Sequence, residues 1–344
     1  MVIIIANYYH LTLGGQTMKS KISKILLLLL STSLLLMGCQ NASNNNSEDD
    51  NTLNIVTSFY PMYISTLNIV KGIDNIKLTN MTQPQTGCLH DYTLSPSDLK
   101  KLEKADILVV NGAGMEAFLS DIIDQYPDLK IVTASEGLDL LVDDEHDHED
   151  EHDNETAEEH AEHADEADDH DHEYNAHLWV SVLGNIEEVK NITSQLSTLD
   201  PEHKTQYEAN ADEYISKLEA LSAEMHSELD SLSNRNIITF HEAFPYFAKE
   251  FNLNIAGVIQ IDADSEPSAR DIEEVIKTIK EQHITALFTE PQYFSDIAST
   301  IANETGAKVY ELDPIVTGEA NEDSYDDYIN KMKQNLETLK EALK

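Results

Sequence analysis

From residue 52 to the C-terminus, short apolar runs alternate with longer amphipathic stretches. Eight runs rich in Ile, Val and Leu stand out, four at 52–59, 75–81, 105–111 and 130–134 and four more at 236–240, 253–261, 284–289 and 307–312. Each is followed by a helix-like segment. Continuous apolar runs belong to strands buried on both faces, and their alternation with helices predicts mostly parallel sheets with helical cover. The grouping predicts an α/β chain of two lobes.

Between the groups, Asp200-Pro201 offers an N-cap followed by proline at the first helical position. Apolar or small side chains then recur at Tyr207, Ala211, Tyr214, Leu218, Leu221, Met225, Leu229 and Leu232. Their steps of three and four trace one face of an α-helix. The spacing predicts a single helix over 200–233, about 50 Å long at 1.5 Å per residue. Such a rod joins the lobes with less room for hinge motion than a flexible linker gives. The stripe itself is packing surface.

Two segments break the pattern. At the front, Lys19, Lys21 and Lys24 precede an apolar run at 25–37. A run that short does not span a bilayer, which needs about 20 residues, but it suits a secretory signal. Residues 1–38 are therefore expected to be a signal peptide, with Met18 a better start than Met1. The run ends Leu36-Met37-Gly38-Cys39, which resembles the lipobox of bacterial lipoproteins. On that reading Cys39 carries a lipid, 39–51 is a polar tether, and the chain is exported and anchored to the outer face of the cell membrane or lies in a periplasm. An ordinary signal peptide is the other reading. The second break is 143–173, which holds seven histidines (His146, His148, His152, His160, His163, His170 and His172), eighteen acids and no Lys or Arg. Nothing there offsets the entropy of ordering by apolar burial, so a disordered insertion is expected. The predicted divisions are then an N-terminal lobe at 52–199, the linking helix at 200–233 and a C-terminal lobe at 234–344.

Acids outnumber bases 64 to 22 for a net charge of −42, which argues against a nucleic-acid partner. Two cysteines make no disulfide scaffold, and with Cys39 lipidated Cys88 has no partner. The histidines outside the insertion carry the candidate chemistry. His90 lies in a loop after the second predicted strand, His177 follows the insertion in Asn175-Ala176-His177-Leu178-Trp179, and His241 ends the fifth. Asp313 follows the last. Taken alone, each is more often a hydrogen-bonded structural group. Taken together they gain weight, because His90, His241 and Asp313 lie where open α/β sheets bind ligands, at the carboxyl ends of strands. His203, His226 and His283 sit on helix-like stretches and are expected to face solvent or pack.

Over about 52–344 the chain resembles the zinc/manganese-type (cluster A-I) substrate-binding proteins of metal ABC transporters. The resemblance rests on His90-Asp91-Tyr92 with Ser95-Pro96-Ser97-Asp98-Leu99, on Asn111-Gly112, on His177-Leu178-Trp179, on Asp200-Pro201 and the stretch Tyr207 to Leu221, and on 240–247. Glu266-Pro267-Ser268, Thr289-Glu290-Pro291-Gln292 and Leu312-Asp313-Pro314 complete it. It implies two lobes on a backbone helix, with one metal ion held in the cleft by His90, His177, His241 and Asp313. It also implies a permease as partner and a monomeric receptor. Three imidazoles and one carboxylate suit tetrahedral Zn²⁺, whereas Mn²⁺ prefers oxygen-richer shells; manganese-binding members generally carry a carboxylate where this chain has His241. The fourth place stays open among Asp313, Glu290, Glu242, Cys88 and water. The insertion offers auxiliary weak sites that collect zinc or report its sufficiency, unless its histidines are incidental to an acidic loop. Other functions weighed are a manganese or iron receptor, a surface adhesin and a secreted zinc hydrolase. The last is disfavoured because Pro245 stands where His-Glu-x-x-His needs its second histidine.

Overall fold

A computed structural model describes residues 52–84, 92–142, 174–259, 267–292 and 296–344. The expected signal peptide, tether and acidic insertion lie outside the described residues. All eight predicted strands form, each slightly shorter than its apolar run. The first sheet contains β1 (Leu53–Thr57), β2 (Ile76–Asn80), β3 (Ile107–Val110) and β4 (Lys130–Thr133) in the order β2-β1-β3-β4. The second contains β5 (Asn236–Thr239), β6 (Asn254–Val258), β7 (Ala286–Thr289) and β8 (Lys308–Glu311) in the order β6-β5-β7-β8. Every pairing within the two sheets is parallel. Both sheets repeat one winding plan. In each, the chain reverses its direction of travel between two central strands, and open α/β sheets bind ligands at the carboxyl ends of such strands.

The helices are α1 (Tyr60–Ile69), α2 (Pro96–Leu102), α3 (Ser120–Ile123), α4 (Val182–Leu199), α5 (Lys204–Leu229), α6 (Pro245–Glu250), α7 (Ala269–Gln282), α8 (Asp296–Thr305) and α9 (Asp327–Ala342). Every residue of α1 is buried, the polar Ser65 and Asn68 included, which donate to Asn185 Oδ1 and to the Ile64 and Tyr325 carbonyls. The single helix predicted over 200–233 is a correction. The observed α5 has 26 residues and begins at Lys204, and Asp200 instead ends α4 with φ −130° and ψ 77°. The dipeptide serves as an exit: Pro201 keeps Asp200 out of helical geometry, which ends α4, and residues 201–203 form a turn before α5 begins. Asp200 still serves the turn, because its carboxylate accepts hydrogen bonds from His203 Nδ1 at 2.6 Å and Tyr207 Oη at 2.7 Å. The predicted stripe from Tyr207 to Leu229 is buried throughout.

One continuous core joins the inner faces of both sheets. It runs from Ile55 and Val109 through Val189, Leu218 and Met225 of α4 and α5 to Ile237 and Phe288. The C-terminal helix α9 adds Met332 and Leu336 to the same cluster. Two smaller clusters fill the outer faces, one around Leu102 and Leu108 and one around Val275 and Leu287. The sheets are therefore held by a shared helical layer, with α4 and α5 antiparallel at its centre.

Candidate metal centre

The second sheet reverses between β5 and β7, and His241 and Glu290 follow those two strands. Both side chains are buried, His241 with 5% and Glu290 with 2% of its surface exposed. His241 Nδ1 lies 2.6 Å from Glu290 Oε1. A carboxylate there fixes the Nδ1–H tautomer and leaves Nε2 with the lone pair that binds metal; carboxylates in this position orient and strengthen imidazole ligands. Gln292 Nε2 donates to the other Glu290 oxygen.

His177 reaches the same place from the first lobe. Its Nδ1 lies 3.3 Å from Asn175 Oδ1, and its backbone N–H donates to that oxygen at 3.1 Å. The segment is pinned from three directions. Asn111 Nδ2 donates to the Ala176 carbonyl at 2.9 Å, Asn175 Nδ2 donates to the Glu242 carbonyl at 2.9 Å, and Tyr246 Oη donates to the Asn175 carbonyl at 2.8 Å. Two of these bonds cross from the first lobe to residues flanking His241. Behind His177, Trp179 is buried and its Nε1 donates to the Pro314 carbonyl at 2.8 Å. A 3₁₀ turn, Leu178–Val180, then leads into α4. Gly184 of α4 packs so tightly on this turn that a Cβ would stand 2.2 Å from the Leu178 carbonyl oxygen.

The two imidazole rings meet with centroids 5.1 Å apart and planes at 75°. Two imidazoles that bind one tetrahedral zinc through Nε2, each at about 2.0–2.1 Å, place their centroids roughly 5 Å apart. The pair thus has the spacing of two ligands sharing one ion. In the first sheet the matching position, after β1 and β3, is taken by Glu116. Its carboxylate accepts from Ser58 Oγ at 2.7 Å and from the Asn111 and Gly112 N–H groups at 2.8 and 3.0 Å. Burial raises the Glu116 pKa.

Of the predicted ligands, then, His177 and His241 come together. Asp313 follows β8, as expected, but its carboxylate is ion-paired with Lys331 and accepts the Ile315 N–H at 2.7 Å. Asn335 holds its backbone on both sides. Among the described residues no group of three or more His, Cys, Asp or Glu is arranged to hold a metal. His90, Cys88, Cys39 and the seven histidines of the insertion lie outside the described residues. Glu290, weighed from sequence as a rival ligand, lies against His241 Nδ1 through one carboxylate oxygen. Sequence reasoning missed Asn175 and Tyr246, whose ties between the lobes leave no local signature. The place of Glu290 directly after a strand is the same signal that marked His241.

Two parallel sheets wound alike, a shared helical layer and a buried histidine pair contributed by both lobes define a two-lobed metal-binding receptor. The chain belongs to the ZnuA family, the periplasmic component A of zinc-uptake complexes, whose pattern matches residues 55–342. It is 35% identical over 294 residues to the high-affinity zinc uptake system protein ZnuA of Bacillus subtilis, covering 85% of this chain and 88% of that protein. It is 30% identical over 298 residues to the zinc-binding lipoprotein AdcA of Streptococcus pneumoniae, covering 84% of this chain and 56% of that protein. The chain thus spans little more than half the length of AdcA. A crystal structure of ZnuA superposes with a TM-score of 0.70 at 26% identity, covering 85% of this chain and all of that one.

Proposed function

We propose that the protein captures Zn²⁺ outside the cytoplasmic membrane and delivers it to an ABC permease. His90, His177 and His241 supply three ligands, and Asp313 the fourth in exchange for its bond to Lys331. The 5.1 Å approach of two imidazoles, with Nδ1 of each against a side-chain oxygen, carries this reading. The names of the relatives, one a zinc uptake protein and one a zinc-binding lipoprotein, support it. On this reading the ion is cargo. No bond in a substrate is made or broken, every coordination place is filled by the chain, and the receptor works as a monomer. Cys39 carries the lipid that keeps it at the membrane, and the histidines at 143–173 collect zinc at weaker sites. Purification without an affinity tag, followed by metal analysis and titration with Zn²⁺ and Mn²⁺, tests the assignment. One tightly held zinc that manganese fails to displace is expected; preference for manganese would overturn it.

A further inference from the structure

Charge is unevenly spread over this acidic chain. Acids outnumber bases 64 to 22 overall, yet beside the first strand four lysines gather around one glutamate. Lys77 of β2 stands in register with Asn54 of β1. Lys100 and Lys101 belong to α2, and Lys104 follows it. With Glu103 they rim a depression of about 480 Å³ whose floor is 54–56 of β1. The depression exists because α2 is only seven residues long, opened by Ser95 and Asp98 as a capping box, and so covers only part of the outer face of the sheet. Lys77, Lys100 and Lys104 are exposed. Lys101 is committed, donating to the Asn80 carbonyl at 3.0 Å and to that of Met81 and lying 3.8 Å from the buried Asp98 carboxylate. Asp106 borders the patch, but its carboxylate accepts the Asn54 N–H at 2.8 Å.

The strand that floors this depression is also the one into which the tether leads. The 13 residues of 39–51 directly precede Thr52 and β1. Thirteen residues reach at most about 45 Å even when fully extended, so β1 begins within that distance of a lipid on Cys39. Anionic headgroups attract nearby lysines over about a Debye length, roughly 8 Å at physiological salt. Lys77, the second residue of β2, and Lys104, just before β3, lie toward the amino ends of the strands, while Lys101 reaches the other end of β2 at Asn80 and Met81. His241 and Glu290, in contrast, follow the carboxyl ends of their strands.

We propose that this lysine-rimmed face seats on anionic phospholipid headgroups at the base of the tether. Held so, the receptor turns its metal centre toward the medium, and docking on the permease requires the face to lift. The idea rests on the reading of Cys39 as the lipid-bearing residue, but its test does not. The mature chain, 39–344 with Cys88→Ser, is coupled through Cys39 to a maleimide lipid in vesicles of phosphatidylcholine, with or without phosphatidylglycerol. Acetylation of individual lysines by a succinimidyl ester is followed by mass spectrometry. Lys77, Lys100 and Lys104 are expected to react several-fold more slowly on the phosphatidylglycerol vesicles. High salt should abolish that protection, and Lys190 and Lys204 should react alike on both. Equal rates on the two vesicle types would overturn the proposal. So would equal protection on both, which would assign the face to Glu48, Asp49 and Asp50 of the tether itself, or protection that appears only when permease is added. Whether cells attach a lipid to Cys39 is read separately, by mass spectrometry of the membrane-derived protein.

Discussion

At the scale of single residues, the account turns on which histidines bind the ion and what holds them. His241→Ala removes a ligand and should abolish tight zinc binding in a calorimetric titration. His203→Ala, which removes one of the two hydrogen-bond partners of Asp200 in a turn, should leave binding unchanged. Glu290→Gln keeps the shape but weakens the orienting bond; outer-shell partners of this kind are worth about 10–100-fold in metal affinity. Equal affinities for all three variants would undo the ligand assignment. Glu188 makes a different case. It is fully buried, its carboxylate finds no hydrogen-bond partner among the described residues, and burial, with the charge of Glu116, raises its pKa well above 4.5. The unfolded chain therefore releases this proton at lower pH than the folded one does. Between those two values the folded state binds more protons, so stability falls as pH rises above about 4.5, by at most about 1.4 kcal/mol per pH unit for one proton. Glu188→Gln removes that dependence and should gain stability relative to wild type as pH climbs, read by denaturant unfolding at a series of pH values. A constant difference between the two proteins would show that Glu188 does not hold its proton. Sequence could name His241 because it follows a strand, and His177 because it stands in the motif Asn175-Ala176-His177-Leu178-Trp179 that carries the family resemblance. It could not show that Glu290 hydrogen-bonds His241 or that Lys331 pairs with Asp313, because both depend on contacts between distant segments.

At the scale of elements, strands were legible and the long helix only in part. Buried parallel strands read as unbroken Ile, Val and Leu because both faces are covered, and the eight runs gave the strands to within a few residues. The stripe of α5 was equally clear, but its start was not. Asp200-Pro201 fits a helix entrance and a helix exit about equally well, and the preceding α4 takes it as an exit. Gly184 shows how one element sets another. It lets α4 approach the turn that follows His177, and a methyl group there meets a backbone carbonyl. Gly184→Ala should lower stability by about 1–3 kcal/mol, the usual range for overpacking. It should weaken zinc binding too, because the turn carries His177. Thermal unfolding and zinc titration check both, and wild-type values in both would mean the turn yields without consequence.

At the scale of the whole molecule, the two sheets share one core and one helical layer, so the lobes are braced rather than hinged. The acidic insertion stands apart from that frame in composition. Deleting 143–173 should leave the tight site intact and lower the number of zinc ions bound at saturation, measured by equilibrium dialysis; an unchanged count would show that its histidines do not bind. The central claim is that imidazoles from both lobes converge on one divalent ion. A crystal structure of the zinc-loaded protein, with anomalous data collected on either side of the zinc edge, tests it most directly. The account predicts a single strong peak about 2.0–2.1 Å from Nε2 of both His177 and His241, with His90 as the third nitrogen. A peak elsewhere, or rings that move apart when the metal is bound, would contradict it.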